Sequence, residues 1–252
     1  MRKTQIAAQM YSFRQFFGMP EQLLQTLTRI KAMGYDAVQV SPSMPEMPAA
    51  DLRHLLDDQG LVPCSACKKG ASCIDDTQEV IEYLQELGCG HTVYPAPPML
   101  ETEGEVIELA HKLEAAAVTM RQAGITLGYH NHALEFNRYG DRTMLDIIYE
   151  EAPNLDAEID TYWVQAGGGD PVSWVRRMDR RMEQIHLKDF VMDGKASHDA
   201  PVGSGNLNWP AIIAAAEDGG VEYFVVEHDG VCPDPFASFR DSINFLLRNF
   251  VR

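Results

Sequence analysis

The sequence predicts one closed (β/α)8 (TIM) barrel spanning residues 1–252. Three observations carry this expectation. Eight short, β-rich apolar runs alternate with helix-periodic segments along the chain; glycines stand where helical segments give way to the next run; and residues 7–14, after the first run begins, contain no glycine and so no dinucleotide-binding Gly-x-Gly-x-x-Gly. A repeated strand-helix unit makes the strands parallel, because each helix must return the chain to its starting edge. Eight such units in 252 residues suit a closed barrel better than an open doubly wound sheet.

In chain order the expected strands are Ile6 to Tyr11, Ala37 to Val40, Leu61 to Ala66, His91 to Tyr94, Thr126 to Asn131, Leu155 to Asp160, Gln184 to Leu187 and Tyr223 to Glu227. The helical segments between them include Pro20 to Met33, Thr77 to Leu87, Glu105 to Ala123, Asp141 to Glu150, Asp170 to Met178, Trp209 to Glu217 and Pro235 to Asn249. Gly34, Gly60, Gly88, Gly124 and Gly219 fall just past helices and shortly before strands, the place where a chain leaves a helix in a left-handed conformation.

Composition narrows the function classes. Apolar residues are 45% and charged residues 23% of the chain, which suits a folded water-soluble protein. A formal net charge of −16 opposes nucleic-acid backbones and anionic bilayers, and the only basic cluster, Arg176, Arg177, Arg180 and Arg181, reads as the solvated end of a helix. No run approaches the roughly 18 apolar residues of a membrane span, and the first ten residues lack a signal-like apolar core, so the cytoplasm is the expected location. Five cysteines make no disulfide framework, and Cys64-x-x-Cys67 with Cys73 nearby reads as unbridged structural thiols.

In such a barrel the chemistry sits where the strands end. The fifth strand leads into "GYHNHALEF", with His130, Asn131, His132 and Glu135; the sixth ends at Asp160, the seventh at His186, and the eighth in Glu227, His228 and Asp229. Glu135, Asp160, His186 and Glu227 are 25, 26 and 41 residues apart, each about one repeat, so the barrel would carry them to one rim. Three carboxylates and one imidazole form an oxygen-rich set suited to one divalent ion, Mn²⁺, Mg²⁺, Co²⁺ or Zn²⁺. Taken singly, Asp160 also suits a helix N-cap and His186 a structural hydrogen bond.

The blocks "LGYHNHALEF", "AEIDTYWVQAGGGDPVSWV", "IHLKDF", "PVGSGNLNWPAII" and "VVEHD", with "AAQMYSFR" at the start, resemble the sugar phosphate isomerase/epimerase superfamily of xylose isomerase-like TIM barrels. The resemblance implies a metal held by Glu, Asp, His and Glu, of which Asp160, His186 and Glu227 match directly. Many relatives carry glutamate where this chain has His130, so the first ligand is open between Glu135, which is favoured, and a histidine, with His132 next. His130 and His132 share one strand face and Asn131 takes the other, which aims both rings at the barrel axis. The third strand departs too: Cys67, Lys68 and Lys69 stand where many relatives have a histidine, and Lys68 is either a cation for the substrate or a solvated loop lysine.

The chemistry implied is isomerisation or epimerisation of a small sugar or keto-sugar. The metal acts as a Lewis acid that stabilises an enediolate, with Glu135 and Glu227 as proton-transferring carboxylates. Lys188 is placed to bond a substrate oxygen or else to pair with Asp189 or Glu158; Arg14, His130 and His132 are further substrate contacts, and Trp163 is a pocket wall or a core aromatic. The same enediolate could expel a substituent, giving a dehydratase of inosose type or an eliminating lyase on keto-glycosides. An endonuclease IV-like role would need a basic surface, and a noncatalytic sugar-binding barrel would show no turnover. The expected partner is an unphosphorylated small-molecule sugar, with no nucleic acid and no membrane; homo-oligomers are frequent among such barrels.

Overall fold

Eight parallel strands form one sheet that rolls into a barrel: β1 (Ile6–Gln9), β2 (Ala37–Val40), β3 (Val62–Ala66), β4 (His91–Tyr94), β5 (Thr126–His130), β6 (Asp156–Asp160), β7 (Gln184–Leu187) and β8 (Tyr223–Val226). This computed structural model describes residues 1–252 apart from 231 and 233. The hydrogen-bonded order is β3-β2-β1-β8-β7-β6-β5-β4, and β3 lies beside β4 to bring the ring nearly closed. Among the described residues no backbone ladder joins these last two strands; Ser65 Oγ and His91 Nδ1 meet there at 3.2 Å, and Cys67 Sγ donates to Val93 O at 3.5 Å.

The helices are α1 (Pro20–Met33), α2 (Ala49–Gln59), α3 (Thr77–Leu87), α4 (Glu103–Gln122), α5 (Met144–Glu151), α6 (Thr161–Ala166), α7 (Pro171–Arg177), α8 (Trp209–Asp218) and α9 (Pro235–Asn249). Their sequence periodicity becomes packing. On α3 the buried residues are Val80, Ile81, Leu84 and Leu87, and on α9 they include Phe236, Phe239, Ile243 and Leu246, one apolar stripe each. Each such side chain taken out of water stabilises the fold by about 1.5–3 kcal/mol. Capping boxes start α4, through Thr102 and Glu105, and α5, through Thr143 and Asp146.

Strand alternation sorts the barrel interior from the shell. On β6 Ala157 and Ile159 join the shell core with Ile185 and Leu187 of β7, whereas Glu158 meets His186 inside, and Asp160 pairs in register with His186. A small apolar cluster of Ala7, Ala37, Cys64 and Val225 lies apart from the shell core. Deep barrel strands usually carry branched apolar residues inward. Here the layer nearer the strand ends is polar, and that layer forms the floor of the site.

The structure departs from the sequence expectation in several local places. β1 stops at Gln9 and the chain continues as a 3-10 helix, Met10–Phe16, so Tyr11 is not in a strand. α2 ends at Gly60, one of the expected helix exits, and α5 begins at Met144 because residues 138–143 form a tight antiparallel hairpin. After β7 the chain makes a second hairpin, Asp189–Asp193 with Ala196–Ala200, turned at Gly194-Lys195 with Gly194 at φ 61°. At the end of α8, Gly219 stays right-handed and Gly220, at φ 82°, makes the reversal instead.

Candidate functional site

β6 supplies two buried carboxylates on one strand face, Glu158 and Asp160. Asp160 performs two tasks at once. Its Oδ1 accepts the Trp163 N–H at 2.9 Å and caps α6, while Oδ2 is buried with no hydrogen bond. Lys188 Nζ lies 3.0 Å from Oδ2 as an ion-pair partner outside hydrogen-bond geometry. The capping role foreseen for Asp160 therefore leaves its second oxygen available. Asn131, at the end of β5, fixes the neighbouring backbone by accepting the Asp160 N–H at 3.0 Å.

His186, on β7, stands between carboxylates. Its Nδ1 lies 2.9 Å from Glu227 Oε2, and its Nε2 lies 2.9 Å from Glu158 Oε1 and 2.5 Å from Gln39 Oε1. Burial opposes charging the ring, but Glu158 and Glu227 outweigh it and raise the pKa well above the ordinary histidine value. Burial likewise pushes the Glu158 carboxyl up, and the charges and hydrogen bonds of His186 and His130 overcome it, holding the group well below the usual range. Glu227 is also kept ionised: Lys188 and His186 outweigh its burial.

Lys188 is fully buried among acids. Its ammonium lies 3.0 Å from Asp160 and 2.9 Å from Glu227, and it also bonds Asp229. Neither Asp189 nor Glu158 is its partner. Asp189 turns away to bind the backbone N–H groups of Gly203, Gly205 and Leu207 and the Trp209 indole, fixing the "PVGSGNLNW" loop. Asp229 also accepts the Trp163 indole N–H at 3.1 Å, and Trp163 packs against His132.

His130, Asp160, His186 and Glu227 bring one ligand atom each to within 4.8 Å of one another. Glu135 is not in that set, a correction to the favoured reading. It sits in a short 3-10 turn, Leu134–Phe136, where its oxygens accept the Tyr129 hydroxyl at 3.0 Å and the His132 N–H at 2.8 Å. Phe136 holds this turn down by packing on the "GGG" of residues 167–169; a Cβ at Gly167 would come within 2.3 Å of the ring. The carboxylate thus shapes the loop that presents His132, and burial raises its pKa.

A cavity of about 340 Å³ opens above the set, lined by His130, His132, Glu158, His186, Glu227 and Asp229 together with residues from β1 to β4 and their loops. The two strand-5 rings pack edge to face with centroids 4.8 Å apart. Burial and the neighbouring cations hold His132 neutral, its pKa lowered to about 3. Arg14 and Lys68 do not line this cavity: Arg14 is exposed and donates to the carbonyls of Tyr11 and Asp229, which do, and Lys68 pairs with Glu79 at 2.6 Å in the wall of a neighbouring cavity. Glu158 was the residue to find from sequence: it stands two positions before Asp160, on the same strand face.

The residues suit a divalent cation. Three carboxylates, Asp160, Glu227 and Asp229, surround one lysine while Glu158 faces His130 and His186, and Asp160 Oδ2 and His130 Nδ1 are buried without a hydrogen bond. Two imidazoles and two carboxylates are a nitrogen-richer set than the sequence suggested.

The profile of the xylose isomerase-like TIM barrel family matches residues 27–249. The chain belongs to this family. A curated relative, the rhizopine catabolism protein MocC of Rhizobium meliloti, is 26% identical over 226 residues, covering 80% of this chain and 68% of MocC. Among solved family barrels, a sugar phosphate isomerase/epimerase from Parabacteroides distasonis superposes with a TM-score of 0.79 at 21% identity, over 99% of this chain and 96% of that one. A xylose isomerase-like TIM barrel protein from Mycobacterium smegmatis, in complex with magnesium, superposes with a TM-score of 0.76 at 14% identity, over 98% and 97%. The eight-stranded fold of the family is that of the present chain.

Proposed function

We propose that this protein is a divalent-metal-dependent isomerase or epimerase of an unphosphorylated sugar or keto-sugar. The observation that carries the reading is the convergence of His130, Asp160, His186 and Glu227 beneath an open cavity, with a carboxylate oxygen of Asp160 left without a hydrogen bond. The family membership supports the same class. These four residues would hold the ion, which when bound supplies Lewis acidity toward a substrate carbonyl and its neighbouring hydroxyl.

The chain's own groups account for the proton movements. Glu227 Oε2, kept ionised by Lys188 and His186, is the base that removes the proton α to the carbonyl. The Lys188 ammonium lies beside that carboxylate and donates to the oxyanion that forms. His132, neutral on the cavity wall against Trp163, hydrogen-bonds a substrate oxygen, and Glu227 returns the proton it removed to the enediolate. The excess of carboxylates over cations disfavours a phosphorylated substrate.

Incubation with Mn²⁺ and a panel of keto-sugars in D₂O tests the reading. Deuterium at an α-carbon, abolished in Asp160→Asn and Glu227→Gln, is the expected result. Loss of water or of an aglycone without product exchange would move the assignment to elimination. No exchange on any substrate, with metal bound, would overturn it.

A further inference from the structure

A second cavity, of about 290 Å³, opens on the same rim and shares Val40, Ser41, Pro42 and Cys67 with the cavity over the cluster. These four residues lie at or just beyond the carboxyl ends of β2 and β3, so they form a common wall with an opening on either side. Each cavity taken alone is near the lower limit of the roughly 300–1,000 Å³ of small-molecule sites, room for about one ring. Side by side they accept a ligand of two parts.

The two lobes differ in character. The one over the cluster is lined by ionisable groups that act on a carbonyl. The side lobe has apolar walls, with Met44, Met47, Leu52 and Tyr83, and carries charge through Lys68, Lys69 and four glutamates. Lys68 is already paired with Glu79, so the remaining glutamates, Glu46, Glu82 and Glu86, leave the side lobe acidic and unsuited to a phosphate or carboxylate. The Tyr83 ring is half-buried, and its hydroxyl has no hydrogen-bond partner among the described residues. Methionine thioethers and a tyrosine ring are natural neighbours for a flat aromatic group.

We propose that the side cavity is a subsite for the non-reacting half of the substrate, which is a neutral keto-glycoside with an aromatic aglycone. The sugar ring faces the His130-Glu227 cluster, and the aglycone crosses the wall at Val40 and Pro42 to rest between Met47 and Tyr83. This rests on the sugar-processing reading of the main cavity and extends it to substrate size and polarity.

Calorimetric titration of the Mn²⁺-loaded protein with matched methyl and phenyl keto-glycosides derived from glucose, galactose and mannose decides the matter. The expected result is that, for at least one sugar, the phenyl glycoside binds about tenfold more tightly than its methyl counterpart. Met47→Trp, which fills the side lobe from a partly exposed position, should bring that phenyl-to-methyl ratio to about one. Tyr83→Ala, checked for folding by circular dichroism, should lower it as well. Equal binding of methyl and phenyl glycosides, or a ratio that survives both variants, would overturn the subsite while leaving the sugar reading in place. Binding of no glycoside at all would overturn both.

Discussion

His130 and Glu158 lie side by side in the floor of the barrel, with Nδ1 of the ring 3.3 Å from Oε1 of the carboxylate and both residues buried. The same Oε1 is 2.9 Å from His186 Nε2, so one carboxylate orients both imidazoles of the four-residue cluster. Gln39 holds it from the opposite side, donating through Nε2 at 3.0 Å. Outer partners of this kind fix ring orientation and raise ligand basicity.

Replacing Glu158 by Gln keeps the volume and removes the charge that faces both rings. Mn²⁺ affinity measured by calorimetry should fall about 10- to 100-fold, with the circular dichroism spectrum unchanged. An affinity within twofold of the parent would remove Glu158 from this role.

Glu135 and His130 separate the two readings of the "GYHNHALEF" segment. Glu135→Gln should leave Mn²⁺ affinity within a few-fold and cost about 1–3 kcal/mol of stability, because Tyr129 and the His132 N–H lose a charged acceptor. His130→Ala should do the reverse, with a large loss of metal affinity and a smaller effect on unfolding. Urea denaturation and metal titration of both variants check the pair.

Lys188→Met leaves Asp160, Glu227 and Asp229 without their shared cation. Removing one partner of a buried charge cluster costs about 3–5 kcal/mol. The melting temperature should therefore drop steeply in metal-free protein, and saturating Mn²⁺ should restore a larger part of it than the same metal adds to the parent. Activity should stay low even with metal bound, since the oxyanion loses its donor.

Asp146 gives a pH test away from the site. Burial pushes its carboxyl up, but hydrogen bonds from Thr143 and Arg177 outweigh this and lower its pKa in the fold. A folded pKa below the unfolded value of about 3.9 contributes stability that is present above that value and lost as the pH falls through the folded one. Asp146→Asn should cost about 1 kcal/mol at neutral pH, solvent screening included. The difference from the parent should vanish in thermal melts as the pH is lowered from 5 toward 2.

Gly167→Ala would drive a Cβ into the Phe136 ring. Displacing that ring should cost about 1–3 kcal/mol and loosen the turn that carries Glu135. Reduced protection of the 132–137 amides from hydrogen exchange would report the loosening directly.

The barrel was legible because its cause is repetitive: eight apolar runs alternate with helical stripes, five of the junctions carry an exit glycine, and errors at one element boundary do not disturb the count. Asp160, His186 and Glu227 were legible because strand ends in a parallel barrel share one rim. Glu135 misled because sequence gives distance along the chain but not direction. Five residues past the strand the chain has entered a 3-10 turn, and packing of Phe136 on Gly167 and Gly169 decides which way the carboxylate faces. The hairpin turned at Gly194-Lys195 was not legible because its strands are short and mostly polar, without the apolar alternation that marks a barrel strand. Glu158 was hidden for a simpler reason: it lies one layer below the strand ends, where an apolar residue is the usual occupant.

The meeting of β3 and β4 gives the barrel a hoop-and-clasp construction. Seven joints of the hoop are ladders of backbone hydrogen bonds, whose lengths sequence changes hardly alter. The eighth is clasped by Ser65 with His91 and by Cys67 with the Val93 carbonyl, and Cys67 and Val93 also line the cavity mouth. Girth at that point is therefore written in a few side chains. Substitution at Ser65 or Cys67 could resize the entrance while the seven ladders, and the strands β5 to β8 that carry the four-residue cluster, stay as they are.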